Sequence, residues 1–583
     1  MRAPGRVGSG GAGGRRAARS AAARRGLVLA VVLVIISLLA LTLASFVFFV
    51  QAERAGTNAY ALDQQARLTA DSGFEELVAI LRTERHNAAV WFDNPARFRH
   101  ALVWAEGYDR QSDPVRNMGS RKELLAEGNL APAWRYSVVA AQWDGPRDTI
   151  RYGITPESAL LNLNVASEDQ IRRLLTPLLL DLGVENAEDL VSALLDWRDG
   201  DDQARPGGAE NEYYNSLDPP YNCKSAPFDS VEELLLVKGF SAAILYGEDV
   251  NRNGILDLNE DDADGSFPYY DNADGILNYG IAPFLTVHSR EWDQALDNKP
   301  RINLNGDAGV VAAQIAEQFQ ADELSDATIA FINSLKQQEF NFGQLRSPAD
   351  LYVAEEVLGG PGQSAQNQDG PPSSSGPPRR PGRRTFDDGE SVPPAENIPG
   401  LSSPLGAPSA AAAAGEDDDG GGGPIPPALQ GSPVTLEELP YLMDRFSVRR
   451  SQQATAPLVG LININAAPQR VLELVPGMTP DAAAAIVAKR RELDAEALRT
   501  TAWPLTSGAV DVQAYKAIAR SITTKSQQFR VEIVSYADHL KTMRRYEWVI
   551  EMVGQLPQVK YRRDLSGLGP AWPVDDDTLV VVR

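Results

Sequence analysis

The sequence predicts an α+β fold: a long N-terminal helix that starts in a membrane, a small antiparallel sheet split between two distant stretches, and a large helical insertion of helix-hairpin-helix, SAM-like units. Three observations predict it. Leu27 to Val50 is an uncharged apolar run. Strand-like segments cluster near residues 101–153 and again near 529–561, with helix-compatible sequence between them. A short motif of alternating aliphatic and asparagine residues occurs three times, at 161–164, 302–305 and 462–465.

The apolar run would span about 36 Å as a helix, enough to cross a bilayer core. Ahead of it residues 1–25 carry seven arginines and no acid, which predicts a cytoplasmic N terminus with the rest of the chain exported. A secretory signal fits less well, because the run is long and no A-x-A-like site closes it. From Gln51 to about Glu84 the residues stay helix-compatible with no proline, predicting one helix that continues from lipid onto a soluble domain. Gly8 to Gly13 matches G-x-G-x-x-G, but no strand precedes it, so nucleotide binding is not expected there.

Ala101–Ala105, Trp134–Ala140 and Thr149–Gly153 are short, rich in aromatic and β-branched residues, and bounded by turn formers; they read as antiparallel strands. Phe529–Ser535, Tyr546–Val553 and Gln558–Tyr561 repeat that texture. A sheet whose halves lie so far apart makes the middle of the chain an insertion. In Leu161-Asn-Leu-Asn164, Ile302-Asn-Leu-Asn305 and Ile462-Asn-Ile-Asn465 the alternation buries the aliphatics, and the final asparagine is expected to cap the following helix. The echo suggests three related helical units. Val475-Pro-Gly-Met-Thr-Pro480 and the helix after it resemble a helix-hairpin-helix, which in some proteins offers backbone N–H groups to DNA phosphates. The resulting organisation is 1–26 leader, 27–50 transmembrane helix, 51–88 soluble half of that helix, 89–158 first part of the sheet, 159–358 helical insertion, 359–432 disordered low-complexity tract, 433–525 hairpin unit and 526–583 second part of the sheet. The tract is rich in Pro, Gly, Ser and Ala and has too little apolar surface to offset its chain entropy.

One motif carries metal chemistry. Asp249, Asn251, Asn253, Asp257 and Glu260 stand at positions one, three, five, nine and twelve of an EF-hand-type calcium loop, with Gly254 at six and the Ile255 carbonyl at seven. Hard oxygen donors at this spacing suit calcium and poorly suit zinc or copper. A solvated acidic turn is the alternative. A second acidic run, with Asp199, Asp201, Asp202 and Glu210, is a possible second cation site. Residues 260–264 and 271–274 offer further oxygens to either.

The net charge is −23, and stripping the seven leader arginines leaves about −30. So acidic a surface argues against nucleic acid as a partner. The single cysteine, Cys223, excludes an intramolecular disulfide. The four histidines, His86, His100, His288 and His539, form no H-E-x-x-H spacing, and no G-x-S-x-G or P-loop is found. An enzyme is therefore not expected.

Arg24-Arg25-Gly26 followed by an apolar helix at Leu27 resembles the class III leader of type IV pilins and their secretion relatives. That resemblance implies cleavage between Gly26 and Leu27 by a prepilin peptidase that leaves the helix in place, with the backbone extended just before it. Those families carry glutamate at the fifth mature position, where this chain has Val31. The segments 161–166 (LNLNVA), 194–202 (LLDWRDGDD), 206–214 (PGGAENEYY), 226–239 (APFDSVEELLLVKG) and 461–468 (LININAAP) resemble the protein K family of type II secretion minor pseudopilins. The resemblance implies a pilin-like domain interrupted by a helical domain, bound calcium, and a place at the tip of a periplasmic pseudopilus beside two other minor pseudopilins. A subunit at the tip has no neighbour above that needs the missing acid. The competing class is a signal-anchored, calcium-stabilised periplasmic binding protein that uses its helix-hairpin-helix on DNA.

Overall fold

In the computed structural model, residues 14–105, 133–142, 150–263, 265–268, 270–319, 323–353, 426–450, 456–537, 542–569 and 571 are described. The glycine motif at 8–13, Asp264, His539 and residues 359–425 of the low-complexity tract lie outside them. Helix α1 runs from Gly14 to Glu84. It does not start at Leu27: the helix passes unbroken through Arg24, Arg25 and Gly26, so the extended backbone expected there is absent. Residues 14–25 are mostly alanine and arginine, strong helix formers, and one glycine costs only about 1 kcal/mol. From Val28 to Phe49 the large aliphatic and aromatic side chains of α1 are exposed, Val31 among them. Among the described residues this is one helix long and apolar enough to cross a membrane.

Chain order sets out the sheet and the body inserted into it. Strands β1 (Ala101–Ala105), β2 (Ala133–Ala141), β3 (Ile150–Arg151) and β4 (Thr155–Pro156) come first. Short strands follow in pairs: β5 (Leu161–Asn162) with β6 (Leu285–Thr286), β7 (Arg290–Glu291) with β10 (Leu458–Val459), β8 (Ile302–Asn303) with β9 (Phe446–Ser447), and β11 (Ile462–Asn463) with β12 (Ile522–Thr523). The chain then returns as β13 (Gln528–Ala537), β14 (Met543–Val553) and β15 (Leu556–Asp564), and the main sheet has the order β1-β2-β13-β14-β15, all antiparallel. Strand β13 is its centre, with Val534 opposite Ser137 of β2 and opposite Arg545 of β14. Alternation along β13 sends Phe529, Val531 and Ile533 towards α1, where they meet Leu77, Ile80, Leu81, Trp91, Tyr136 and Trp548. The Ser535 hydroxyl donates to the Ala66 carbonyl of α1 at 2.7 Å.

The three asparagine motifs are three copies of one unit. Each opens with a two-residue parallel bridge to a strand far along the chain: Leu161 to Leu285, Ile302 to Phe446, Ile462 to Ile522. In each the first asparagine accepts from the backbone N–H two residues on, at 2.9, 3.0 and 3.0 Å. The final asparagine does not cap the following helix. Its side-chain N–H bridges to a carbonyl elsewhere in the unit, Phe228, Val448 or Leu498. The caps fall to Ser167 and Asp307 in the first two units, while Pro468 in the third makes no side-chain cap. One basic side chain per unit, Arg198, Lys336 or Arg490, donates to two carbonyls of the motif turn. Apolar residues of the first and third units share one core, and the middle unit has its own. Residues 426–432, expected in the disordered tract, are ordered: Pro427–Leu429 forms a 3-10 turn, Leu429 is buried in the middle core, and the Ser432 hydroxyl donates to the Leu351 carbonyl at 2.6 Å. Leu429, with Val434 just beyond the expected tract, joins the middle core and anchors this end of the chain to it.

Candidate metal centre

The loop 249–260 leaves the short helix Ala242–Tyr246 and closes in the 3-10 turn Leu258–Glu260. Asp249 turns the chain by accepting from the backbone N–H of Asn253 (2.9 Å) and Gly254 (3.0 Å). Asn251 accepts from Asn253 N–H at 2.9 Å, and Asn253 from Ile255 N–H at 2.7 Å. Gly254 takes φ +72°, where a side chain would be strained. Glu260 reaches back to accept from Val250 N–H and Asp257 N–H, both at 3.2 Å. Asp257 accepts from the side-chain amides of Asn251 (2.6 Å) and Asn253 (2.9 Å). All five predicted side-chain donors are thus drawn into one turn, while the Ile255 side chain packs against Val139, Val534 and Tyr536 of the sheet.

Two of the acids are nearly inaccessible, Asp249 at 6% and Glu260 at 1% exposure. Burial pushes Asp249 up to about 6. Burial, with Asp249 and Asp257 nearby, pushes Glu260 up to about 7. Buried carboxylates in a hard-oxygen set at EF-type spacing fit a calcium ion, whose charge would offset the cost of keeping them ionised.

The second acidic run is brought together in part. Ligand atoms of Asp199, Asp201 and Glu210 lie within 4.8 Å of one another. Neither Glu210 oxygen, nor Asp199 Oδ1, meets an N–H or O–H donor, although all three are buried; the Cys223 thiol is beside Glu210. Burial raises Glu210, and the nearby charges of Asp196, Asp199 and Asp202 add to the rise, while the Cys223 thiol works against it. Asp202 stands outside this trio and accepts from the Asn211 side-chain amide at 3.0 Å. Asp196, next in the motif, serves as structure: it accepts from Arg205 Nη1 (2.7 Å) and from the backbone N–H groups of Arg205 and Ala209. Burial also drives the Cys223 thiol up to about 11, so it stays protonated. Gly26 and Leu27 lie within α1, far along the chain from both acidic sites.

Sequence reading missed what holds the first loop to the sheet. Arg545 of β14 has no solvent exposure. It donates to Glu532 Oε1 across the sheet (2.5 Å) and to the carbonyls of Asn251 (2.7 Å) and Arg252 (2.6 Å) inside the loop. The Arg252 guanidinium lies over the Tyr246 ring at 3.6 Å, and Arg563 of β15 pairs with Glu232 of the insertion. The one signal available was two consecutive arginines, Arg544 and Arg545, entering a strand rich in apolar and aromatic residues.

Comparison with known proteins matches residues 159–246 to the family described as type II secretion system protein K. Over 124 residues the chain is 35% identical to the type II secretion system protein K of Klebsiella pneumoniae, covering 18% of this chain and 38% of that protein's length. A crystal structure of the GspK–GspI–GspJ complex from the enterotoxigenic Escherichia coli type 2 secretion system aligns over 88% of this chain and 98% of that one. The identity there is 9% and the TM-score 0.32, too low for the alignment to bear on function.

Proposed function

Taking residues 159–246 as a type II secretion system protein K domain, we propose that the whole chain is the minor pseudopilin K of such a system, seated at the tip of a periplasmic pseudopilus with other minor pseudopilins. The observation that carries this reading is the architecture around the matched residues. They belong to a helical body inserted between the two halves of a sheet that packs on a helix with a lipid-length apolar end. The apolar end would hold the subunit in the inner membrane, N terminus inside and bulk outside, as the basic leader favours. Association with other minor pseudopilins would then draw it into a filament, and the bulky body would leave no room for a subunit above. Calcium in the 249–260 loop would fasten the body to the sheet through Arg545, and the Asp199, Asp201 and Glu210 trio would hold a second ion. The membrane partner in maturation is a prepilin peptidase. N-terminal sequencing of membrane-extracted protein tests the proposal: a new terminus at Leu27, abolished by Gly26→Val or by deleting the peptidase, is expected. An intact N terminus in wild-type cells would refute it.

A further inference from the structure

A second stretch repeats the loop twenty-one residues on: Asn251-Arg-Asn-Gly-Ile-Leu-Asp257 is echoed by Asn272-Ala-Asp-Gly-Ile-Leu-Asn278. The backbone repeats as well. Arg252 and Ala273 take φ +59° and +52°, and Gly254 and Gly275 both take +72°. Asn272 accepts from Asp274 N–H at 2.9 Å and Asp274 from Ile276 N–H at 2.8 Å, as Asn251 and Asn253 do in the first loop. The opening and closing acids are exchanged between the two. Asp261 accepts from Gly275 N–H at 2.9 Å, the part that Asp249 plays for Gly254. Glu248 accepts from Asn272 N–H (3.2 Å) and Asn278 N–H (3.1 Å), the part that Glu260 plays for Val250 and Asp257. In the dipeptides Glu248-Asp249 and Glu260-Asp261, each glutamate closes one loop and each aspartate opens the other.

An independent feature points to a ligand. Asp271 is 8% exposed; its Oδ1 accepts from Ala263 N–H (2.7 Å) and Ala273 N–H (3.0 Å), while its buried Oδ2 has no partner. We propose that Glu248, Asp261, Asp271 and Asp274 form a second loop site for a divalent, oxygen-preferring cation of the calcium type, interlocked with the 249–260 loop. The inference rests on reading the first loop as a calcium site, and the Asp199 trio is separate from both.

The test counts metal. Full-length protein in detergent is stripped with a chelator, re-equilibrated with calcium chloride, desalted and assayed by plasma mass spectrometry, with circular dichroism as the check on folding. The Asp261→Asn/Asp274→Asn variant, altered only at exposed positions, is expected to hold one calcium fewer than wild type. Asp249→Asn is expected to lose its own ion, or both ions if the shared Glu-Asp pairs couple the loops. An unchanged count in the double variant beside a lowered count in Asp249→Asn overturns the second site and leaves the first standing. Unchanged counts in both overturn the reading of the first loop as well. Should the double variant not fold, Asp274→Asn alone is expected to weaken one calcium equilibrium by about tenfold in calorimetry. An unaltered titration there equally overturns the second site.

Discussion

Stripping calcium from the full-length protein is expected to make its stability fall as pH rises from about 4 to about 7. Asp249 ordinarily titrates at 3.8 and stands at about 6 in the folded chain; Glu260 ordinarily titrates at 4.5 and stands at about 7. Below about pH 3 both groups are largely protonated whether the chain is folded or not, and they contribute little slope. Between the two ranges the unfolded chain has lost those protons while the folded chain still holds them, so each rise in pH favours unfolding. At ~1.4 kcal/mol per tenfold change, each group accounts for roughly 3 kcal/mol. The two acids interact and titrate as a pair, so their joint effect lies between roughly 3 and 6 kcal/mol. Bound calcium removes that penalty, and its stabilising increment should therefore be small near pH 4.5 and grow to several kcal/mol near pH 7.5. Urea unfolding of metal-free and calcium-saturated protein in detergent, followed by tryptophan fluorescence at several pH values, reads both curves, and Asp249→Asn should flatten the metal-free one. A calcium increment that is the same at about pH 5 and about pH 8 would refute the reasoning, as would a metal-free stability that climbs through the window.

Four further substitutions probe the joints and the second acidic site described above. Arg545→Met leaves Glu532 and two loop carbonyls without their buried donor, so a loss of about 3–5 kcal/mol in urea unfolding is expected, together with weaker calcium binding in calorimetry. A loss below about 1 kcal/mol would mean that the loop does not depend on the sheet. Arg490→Ala frees the carbonyls of Ile464 and Ala467 and should cost about 1.5–3 kcal/mol, with Lys336→Ala doing the same in the middle unit; thermal unfolding measures both. Glu210→Gln should lower the bound-calcium count by one while leaving the count of an Asp249→Asn background to fall by the same further step, since the sites do not share ligands.

Much of this architecture was legible because it is local. Period-two alternation in Phe529–Ser535 and Tyr546–Val553 announces strands whose one face is buried, and the EF-type spacing of 249–260 states its own turn chemistry. The threefold asparagine motif marked three units before any pairing partner was visible. What stayed hidden depends on contacts between distant parts of the chain. Leu161 pairs with Leu285 and Ile302 with Phe446, and no local pattern names such partners. The role of the final asparagine was misread for the same reason: Asn164 and Asn305 find carbonyls far along the chain, while Ser167 and Asp307 are better placed to cap. Arg545 drew no notice because a strand's alternation says which side chains share a face, not that a loop from the insertion covers that face. The second loop was legible only as scattered acids, since its opening and closing residues come from outside its own repeat.

The central strand of the sheet is also among the last to be made. Between Ala141, where β2 ends, and Gln528, where β13 begins, the entire helical body must be synthesised. Until then α1 lacks most of the surface it packs against, and the hydrogen-bonding edge of β2 has no neighbour to shield it. The body must therefore reach its own shape while the membrane-proximal half is still waiting. The final strands then close the sheet like a clasp over α1.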